Sequence, residues 1–158
     1  MSSSTDRIEK SVVLSATRSR VWRALTDVSQ FNKWFGVNLT APFAPGAVIS
    51  GNLAIPGYEK LVMTLWVETI DPESRFSFRW HPNAIDTSVD YSADATTLVE
   101  FTLDEAPGGT RLLVTESGFD ALPESRRLQA FGSNSKGWES QMKRIAEYLD
   151  ESAEPSKV

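Results

Sequence analysis

The feature that most constrains the fold is a stretch of about seventy residues, beginning after Pro45-Gly46, in which strand-like segments alternate with short turns. Turn-forming sequences occur at Pro56-Gly57, Asp71-Pro72 and Pro107-Gly108-Gly109. Connections of this length are too short to contain the helix that joins two parallel strands. Together with a first strand at residues 7–15, the pattern predicts a single antiparallel sheet of about six or seven strands.

One strand of this sheet is marked by clear alternation of side chains at residues 76–81. Because successive side chains of a strand point to opposite faces, Phe78 and Trp80 share one face, and Arg79 and His81 share the other. We therefore expect the aromatic face to pack against the core and the face with Arg79 and His81 to be solvated.

The last part of the chain predicts a long amphipathic helix over residues 123–150. Pro123 suits the first helical position, and Glu124 suits the positive end of the helix dipole. The predicted inward stripe consists of Leu128, Phe131, Ser135, Trp138, Met142, Ile145 and Leu149. All of its members except Ser135 are apolar.

The middle of this helix carries small and polar residues, FGSNSKGW, at positions 131–138. Gly132 and Gly137 each cost about 1 kcal/mol relative to alanine in a helix interior. One interpretation is that a strand backbone approaches closely at these glycines, or that the helix bends there. Another is that the helix is kept thin to leave a cavity between it and the sheet, and both interpretations can hold together.

Two short helices are predicted between the first strand and the rest of the sheet. Thr17 can cap the first, in which Val21 and Leu25 recur at helical spacing. Asp27 or Ser29 can cap the second, whose apolar residues also lie three and four positions apart. These residues are Phe31, Trp34 and Phe35.

Composition limits the chemistry that the chain can perform. The 158 residues, 41% of them hydrophobic, suit one globular domain, which we place at 7–151, with disordered tails at 1–6 and 152–158. There is no cysteine and His81 is the only histidine, so thiolate catalysis and a metal site rich in imidazole are excluded. We predict neither a metal nor a cofactor.

The charge pattern and the N-terminal residues bear on partners and location. The net charge is −5 and the basic residues are scattered, which argues against a nucleic-acid partner. The uncharged segment 34–58 is interrupted by prolines and glycines, so we expect no membrane insertion. MSSSTDRIEK lacks the apolar run of a secretory signal, and a cytoplasmic protein is the expectation.

The order of several short motifs resembles the START-related helix-grip (SRPBCC) superfamily. These motifs are Val21-Trp22 with Leu25-Thr26, Trp34, Pro45-Gly46, Gly109-Thr110-Arg111 followed by Glu116 to Phe119, and Gly137-Trp138. More narrowly, residues 7–150 look like the domain homologous to the C-terminal part of the activator of the heat-shock-protein-90 ATPase. The resemblance implies an α+β helix-grip fold, in which a curved antiparallel sheet wraps around the terminal helix and encloses a hydrophobic cavity.

The candidate cavity residues are the aromatic side chains of the predicted inner surfaces, together with three neighbours of other types. They are Trp34, Phe35, Trp66, Phe78, Trp80, Phe101, Phe131 and Trp138, with Glu116, Ser135 and Met142. Aromatic walls with few polar groups are typical of pockets for small molecules.

Glu116 is the one candidate catalytic residue. Alternation with Leu112 and Val114 places its side chain on the face that meets the terminal helix. A buried carboxyl there can serve as a general acid or base. The alternative is that Glu116 lies near the strand end, where it is hydrated or paired with a lysine or arginine.

Three hypotheses for function remain open at this point, because the superfamily includes lipid and hormone binders, polyketide cyclases and co-chaperone domains. The first is a binding protein that holds a hydrophobic small molecule, lipid-like or aromatic, in the cavity. The second is an enzyme of cyclase or hydrolase type that uses Glu116, although no nucleophile paired with a base is readable. The third is a protein-interaction module with a chaperone as partner. We expect a monomer or a homodimer.

Overall fold

The computed structural model of the chain describes residues 6–82, 90–91 and 93–151. This part of the chain forms one seven-stranded sheet, and every neighbouring pair of strands is antiparallel. The strands are β1 (Arg7–Leu14), β2 (Val37–Leu39), β3 (Val48–Leu53), β4 (Val62–Asp71), β5 (Arg75–Trp80), β6 (Thr97–Ala106) and β7 (Gly109–Ser117). Their order across the sheet is β1-β7-β6-β5-β4-β3-β2. The predicted antiparallel α+β fold is confirmed.

The helices that the structure describes are α1 (Arg18–Thr26), α2 (Val28–Phe35), a short 3-10 helix (Phe119–Ala121) and α3 (Glu124–Glu151). Thr17 caps α1 by accepting a hydrogen bond from the Arg20 amide, 3.1 Å away. Asp27 caps α2 in the same way through the Ser29 amide. Gly36, with φ at +90°, ends α2 in the left-handed conformation that glycine adopts without strain.

The hydrophobic core lies between the inner face of the sheet and the three α-helices. Phe76, Phe78 and Phe101 are fully buried on adjacent strands, and their rings lie 5.8 to 6.2 Å apart. The core therefore contains a continuous layer of aromatic rings on β5 and β6.

The inward stripe of α3 differs from the predicted one in the first half of the helix. Its buried members are Ala130, Trp138, Met142, Ile145 and Leu149. Leu128 is 68% exposed, so its predicted place in the stripe is wrong. Phe131 is half-buried and packs edge-on against Phe119, at a centroid distance of 5.5 Å. Asn134 rather than Ser135 reaches the sheet, because its amide bonds to a buried carboxyl.

The glycines of α3 are not needed for close approach of another backbone. A Cβ built at Gly132 or Gly137 meets no atom within 4 Å, so this interpretation is wrong for both. The close approach occurs instead at Gly109, where a Cβ would lie 1.9 Å from the Leu14 carbonyl oxygen. Gly109 therefore allows β7 to pair with the end of β1.

The predicted tails lie outside the described residues, apart from Asp6. The Asp6 carbonyl accepts a hydrogen bond from the Gly118 amide at 3.1 Å. The domain bounds 7–151 stay a prediction. In the described part of the chain, none of the helices combines the length and the apolar character that crossing a bilayer requires.

Candidate functional site: an aromatic pocket beside a buried carboxylate

Glu116 on β7 is completely buried and accepts hydrogen bonds from four side chains. Its Oε2 accepts from Trp80 Nε1 at 2.7 Å and from Thr97 Oγ1 at 2.6 Å. Its Oε1 accepts from Trp138 Nε1 at 2.8 Å. The amide nitrogen of Asn134 lies between the two oxygens, at 3.0 and 3.1 Å. We call these five residues the Glu116 cluster.

The fold brings the cluster together from three adjacent strands and α3. Trp80 ends β5 and lies directly opposite Thr97, the first residue of β6. Glu116 lies on the next strand, β7, which pairs with β6. Asn134 and Trp138 are four positions apart on α3 and therefore share one side of the helix.

The donors match the lone pairs of an ionised carboxylate. Indole and amide nitrogens can only donate, so Trp80, Asn134 and Trp138 all require an acceptor at this point. Among the residues that the structure describes, no lysine or arginine bonds to the Glu116 carboxyl. Glu116 is thus buried on the face toward α3, and the alternative of a hydrated or cation-paired carboxyl near the strand end is wrong. Both oxygens of the carboxyl therefore already accept hydrogen bonds from side chains of the cluster.

A pocket of about 90 Å³ lies beside the cluster, at the crossing of α2, the end of β5 and α3. It is lined by Phe35, Trp80, Asn134, Gly137, Trp138 and Gln141. The Trp80 and Trp138 rings stack with a centroid distance of 5.8 Å and an angle of 28°. Phe35 lies 6.0 Å from the first ring and 6.1 Å from the second, so the three rings pack together as one aromatic wall of the pocket.

Gln141 lines the pocket on the α2 side. Its Nε2 donates to the Phe35 carbonyl oxygen at 3.0 Å, at the C-terminal end of α2. Its Oε1 is buried and has no hydrogen-bond partner. An unpartnered buried acceptor is costly, at about 1–3 kcal/mol, and calls for an explanation.

A larger depression of about 430 Å³ lies at the opposite end of the sheet, between the β1–α1 turn and the β6–β7 hairpin. It is lined by residues 15–18, 105–106 and 108–110, none of which is aromatic.

Several predicted cavity residues do meet at the pocket or directly behind it. Phe35, Trp80 and Trp138 line the pocket, and Glu116 lies behind the two indoles. Phe101 supports Trp138 from the core, at a centroid distance of 5.7 Å.

Four others belong to the surrounding core rather than to the pocket lining. Phe78 packs against Trp80, at a centroid distance of 5.5 Å. Trp34 is buried, and its Nε1 donates to the Ala24 carbonyl oxygen at 2.8 Å. Met142 is buried on α3, one turn beyond Trp138, and Phe131 contacts Phe119.

Two predicted cavity residues need correction. Trp66 lies on the outer face of the sheet, because its neighbours Leu65 and Val67 point inward. Its ring packs edge-on against His81, 5.5 Å away. Ser135 is half-buried and does not line the pocket, since the stripe of α3 passes through Asn134 at this level.

Sequence reasoning missed four residues of the site: Thr97, Asn134, Gln141 and, as a lining residue, Gly137. Asn134, Trp138 and Gln141 lie three and four positions apart, a spacing that marks one side of a helix. That spacing could have indicated that the Asn134 and Gln141 amides lie on the same side of α3 as Trp138.

No group of three or more histidine, aspartate or glutamate side chains is placed to hold a metal ion in residues 6–82, 90–91 and 93–151. His81, the only histidine of the chain, lies against Trp66 on the outer face.

The curved antiparallel sheet, the long α3 and the two short helices define a helix-grip domain, here with an aromatic pocket between sheet and helix. The family model described as Activator of Hsp90 ATPase homolog 1-like protein matches residues 15–150. The chain belongs to this family.

Solved structures support the same fold. DynU16, a protein in the dynemicin biosynthetic locus, is 27% identical, with a TM-score of 0.71 over 97% of this chain and 50% of its own. Protein MLL2253 from Mesorhizobium loti is 22% identical, with a TM-score of 0.74 over 94% of this chain and 99% of its own. The Aha1 dimer from Colwellia psychrerythraea is 15% identical, with a TM-score of 0.69 over 94% of this chain and 98% of its own. The chain thus spans about half the length of DynU16. Comparison with curated protein sequences found no match.

Proposed function

We propose that this protein binds a small organic molecule in the pocket bounded by Phe35, Trp80, Trp138 and Gly137. The observation that carries the proposal is a pocket of about 90 Å³ lined by three aromatic rings, at the point where α3 has a glycine instead of a side chain. Pockets of this type, mostly aromatic with a few placed polar groups, are the usual form of small-molecule sites.

The size of the pocket narrows the class of ligand. Sites for drug-sized molecules have volumes of roughly 300–1,000 Å³. A pocket of about 90 Å³ has room for a small molecule, or for one group of a larger one that extends out of the opening. This supports an aromatic or short aliphatic ligand over a lipid-like one.

The geometry of Glu116 supports binding rather than catalysis. A general base must be within reach of the proton that it abstracts, with a lone pair free to accept it. Both oxygens of Glu116 already accept bonds from the pocket wall, and the carboxyl is fully buried. Its proposed role is to fix the orientation of Trp80 and Trp138.

The test is to fill the pocket from α3. Because a Cβ at Gly137 meets open space, we expect Gly137→Leu to fold and to place its side chain in the pocket. Gly132→Leu is the matched control, since Gly132 is equally open on the same helix but does not line the pocket. Binding of phenethyl alcohol, phenethylamine and hydrocinnamate is measured by saturation-transfer NMR.

We expect at least one of these compounds to bind the wild type and Gly132→Leu equally, and to bind Gly137→Leu about tenfold more weakly or worse. Equal binding by both leucine variants would place the ligand elsewhere and contradict the proposal. Failure of all three compounds to bind the wild type would contradict it as well.

Family membership supports an alternative, an interaction with the Hsp90 chaperone through the outer surface. Such an interaction does not use the pocket, so Gly137→Leu and the wild type would bind immobilised chaperone equally. A saturable interaction with this behaviour would favour the alternative. A cytoplasmic location and a monomeric or homodimeric state stay predictions.

A further inference from the structure

Trp80 is a pocket residue at the very end of its strand. It is the last residue of β5, and its ring stacks on Trp138 of α3. Among the described residues, the pairing of β4 with β5 ends at Arg79, so Trp80 is paired only with Thr97 of β6. Thr97 is itself the first residue of its strand. Because strand ends open more readily than strand centres, the position of the Trp80 ring depends on support from outside the sheet.

One side chain of α3, that of Arg126, ties the helix to the chain on both sides of this pair. Its Nη2 donates to the carbonyl oxygen of Pro82 at 3.0 Å, two residues after Trp80. Its Nε donates to Oδ2 of Asp94 at 3.0 Å, three residues before Thr97. The planar guanidinium can bind both acceptors at once, because its N–H groups are fixed in a fork.

The ion pair between Arg126 and Asp94 is better shielded from water than the other ion pairs. Both of its side chains are 20% exposed. In each of the other ion pairs among the described residues, at least one side chain is 43% exposed or more. The guanidinium of Arg126 also lies over the ring of Tyr91, with Cζ 4.6 Å from the ring centroid. Since exposed pairs contribute little, this is the ion pair best placed to constrain the chain.

Arg126 lies on the side of α3 that carries the pocket residues. Ala130 is buried one turn later, and Asn134 and Trp138 follow at intervals of four. Asn134 and Trp138 belong to the Glu116 cluster, which α3 shares with the ends of β5 and β6. The helix therefore contacts this part of the sheet at two levels, at the cluster and at Arg126.

We infer that Arg126 is a positioning residue of the pocket. By fixing Pro82 and Asp94 to α3, it holds the ring of Trp80 in place on the pocket wall. Arg126 does not line the pocket, so it affects a ligand only through the shape of that wall. The effect on ligand affinity rests on the proposed function, whereas the effect on Trp80 is present in the ligand-free protein.

The test removes the guanidinium with Arg126→Met, which keeps an unbranched side chain. The matched control is Arg79→Met, because Arg79 immediately precedes Trp80 but pairs with the exposed Glu68 at 2.8 Å. Hydrogen exchange of the indole N–H groups is measured in the ligand-free proteins by heteronuclear NMR. Trp34 serves as the internal reference, since its indole donates to a carbonyl oxygen of α1.

We expect Arg126→Met to raise the exchange rate of the Trp80 indole about tenfold relative to that of Trp34. Arg79→Met should leave this ratio as in the wild type. A purely structural role for Arg126 would accelerate both indoles by the same factor, because both would then exchange through global unfolding. Asp94→Asn removes the charge of the partner with little change of shape, and should raise the ratio by a smaller factor.

The ligand measurement uses whichever of phenethyl alcohol, phenethylamine and hydrocinnamate binds the wild type most tightly. We expect its dissociation constant, measured by isothermal titration calorimetry, to rise about fivefold in Arg126→Met. It should be unchanged in Arg79→Met. Both variants lose one positive charge, so an effect of net charge alone would appear equally in both.

The outcomes separate this inference from the proposed function. A selective increase in exchange at Trp80, together with weaker binding, would support both. Equal acceleration of the two indoles, no change in either, or unchanged affinity in Arg126→Met would overturn the inference and leave the pocket as the binding site. A selective increase at Trp80 in a protein that binds none of the three compounds would overturn the proposed function and support the placement of Trp80 by Arg126.

Discussion

Two aromatic clusters of this domain contain buried tryptophans but differ in what those tryptophans do. In the first, which we call the α2 cluster, the rings of Phe31, Trp34, Phe35 and Phe43 lie 4.8 to 5.6 Å from their neighbours. Trp34 donates to a backbone carbonyl oxygen of the adjacent α1, only ten positions away in sequence. In the Glu116 cluster, Trp80 and Trp138 donate to a side-chain carboxylate from another part of the chain.

The difference distinguishes a tryptophan that packs in the hydrophobic core from one that lines a pocket. A backbone acceptor is present in any helix pair, so Trp34 needs no special residue around it. Burying a carboxylate costs desolvation free energy, and at Glu116 this cost is offset by hydrogen bonds that fix the positions of two indole rings. Gly137 on α3 leaves open space beside those two rings, and Phe35 belongs to both regions.

The largest expected effect comes from removing the common acceptor of the Glu116 cluster. Glu116→Leu leaves two indole N–H groups and the Asn134 amide without a partner in the core, each at a cost of about 1–3 kcal/mol. We expect the free energy of unfolding, measured in urea, to fall by about 4 kcal/mol. The control Glu139→Leu changes an exposed glutamate of α3 and should cost less than about 1 kcal/mol. A small effect of Glu116→Leu would mean that the cluster is held by ring packing alone.

The next largest effect distinguishes the two clusters, because one substitution should lower stability and the other should lower ligand affinity. Trp34→Phe removes one buried hydrogen bond and part of a buried ring, so we expect a loss of about 2 kcal/mol in stability and unchanged ligand affinity. Trp80→Phe shrinks the pocket wall, so ligand affinity should fall about fivefold or more. Urea unfolding and ligand-observed NMR measure both quantities. If Trp34→Phe weakened binding as much as Trp80→Phe, the two clusters would act as one unit.

The smallest effect concerns the local capping that supports the α2 cluster. The Ser29 hydroxyl, which donates to Asp27, holds the pKa of that carboxyl below its ordinary value of 3.8. The stabilisation is therefore fully present above pH 3.8 and is lost as the pH falls through the lowered folded-state pKa. Asp27→Ala should cost about 1 kcal/mol at neutral pH, and less under acidic conditions.

The control for this prediction is Asp27→Asn, because asparagine caps a helix about as well as aspartate and does not titrate. Thermal unfolding at several pH values measures the difference. A constant difference between wild type and Asp27→Ala down to the most acidic sample would show that the charge of Asp27 contributes nothing.

Much of the fold was predictable from local signals. The Pro-Gly turns predicted the antiparallel sheet, Thr17 and Asp27 predicted the two short helices, and the periodicity from Trp138 onward predicted the second half of α3. The alternation along β7 also placed Glu116 on the face toward the helix. These features depend on residues close in sequence, for which hydrophobic periodicity and conformational propensity predict the local structure.

For the first half of α3, the predicted choice of residues that face the sheet is wrong because it depended on apolar residues alone. Leu128 suggested a stripe through Ser135, whereas the structure selects Asn134 through its bond to Glu116. Trp66 has a related explanation: its aromatic character suggested the inner face, whereas alternation with the buried Leu65 and Val67 places it on the outer face. A hydrogen bond between a helix amide and a residue of a distant strand is a tertiary contact, and the periodicity of the sequence does not predict it.

The pairing of β1 with β7 has a consequence for the kinetics of folding. Ile8 lies opposite Glu116, so the strand that carries the carboxylate is completed by residues from the other end of the domain. Contacts of such high sequence separation require closure of a long loop before they contribute any free energy, and domains that depend on them fold slowly. We therefore expect the pocket to form late in folding. Until the last strand and α3 have docked, Trp80 and Trp138 would be exposed to water.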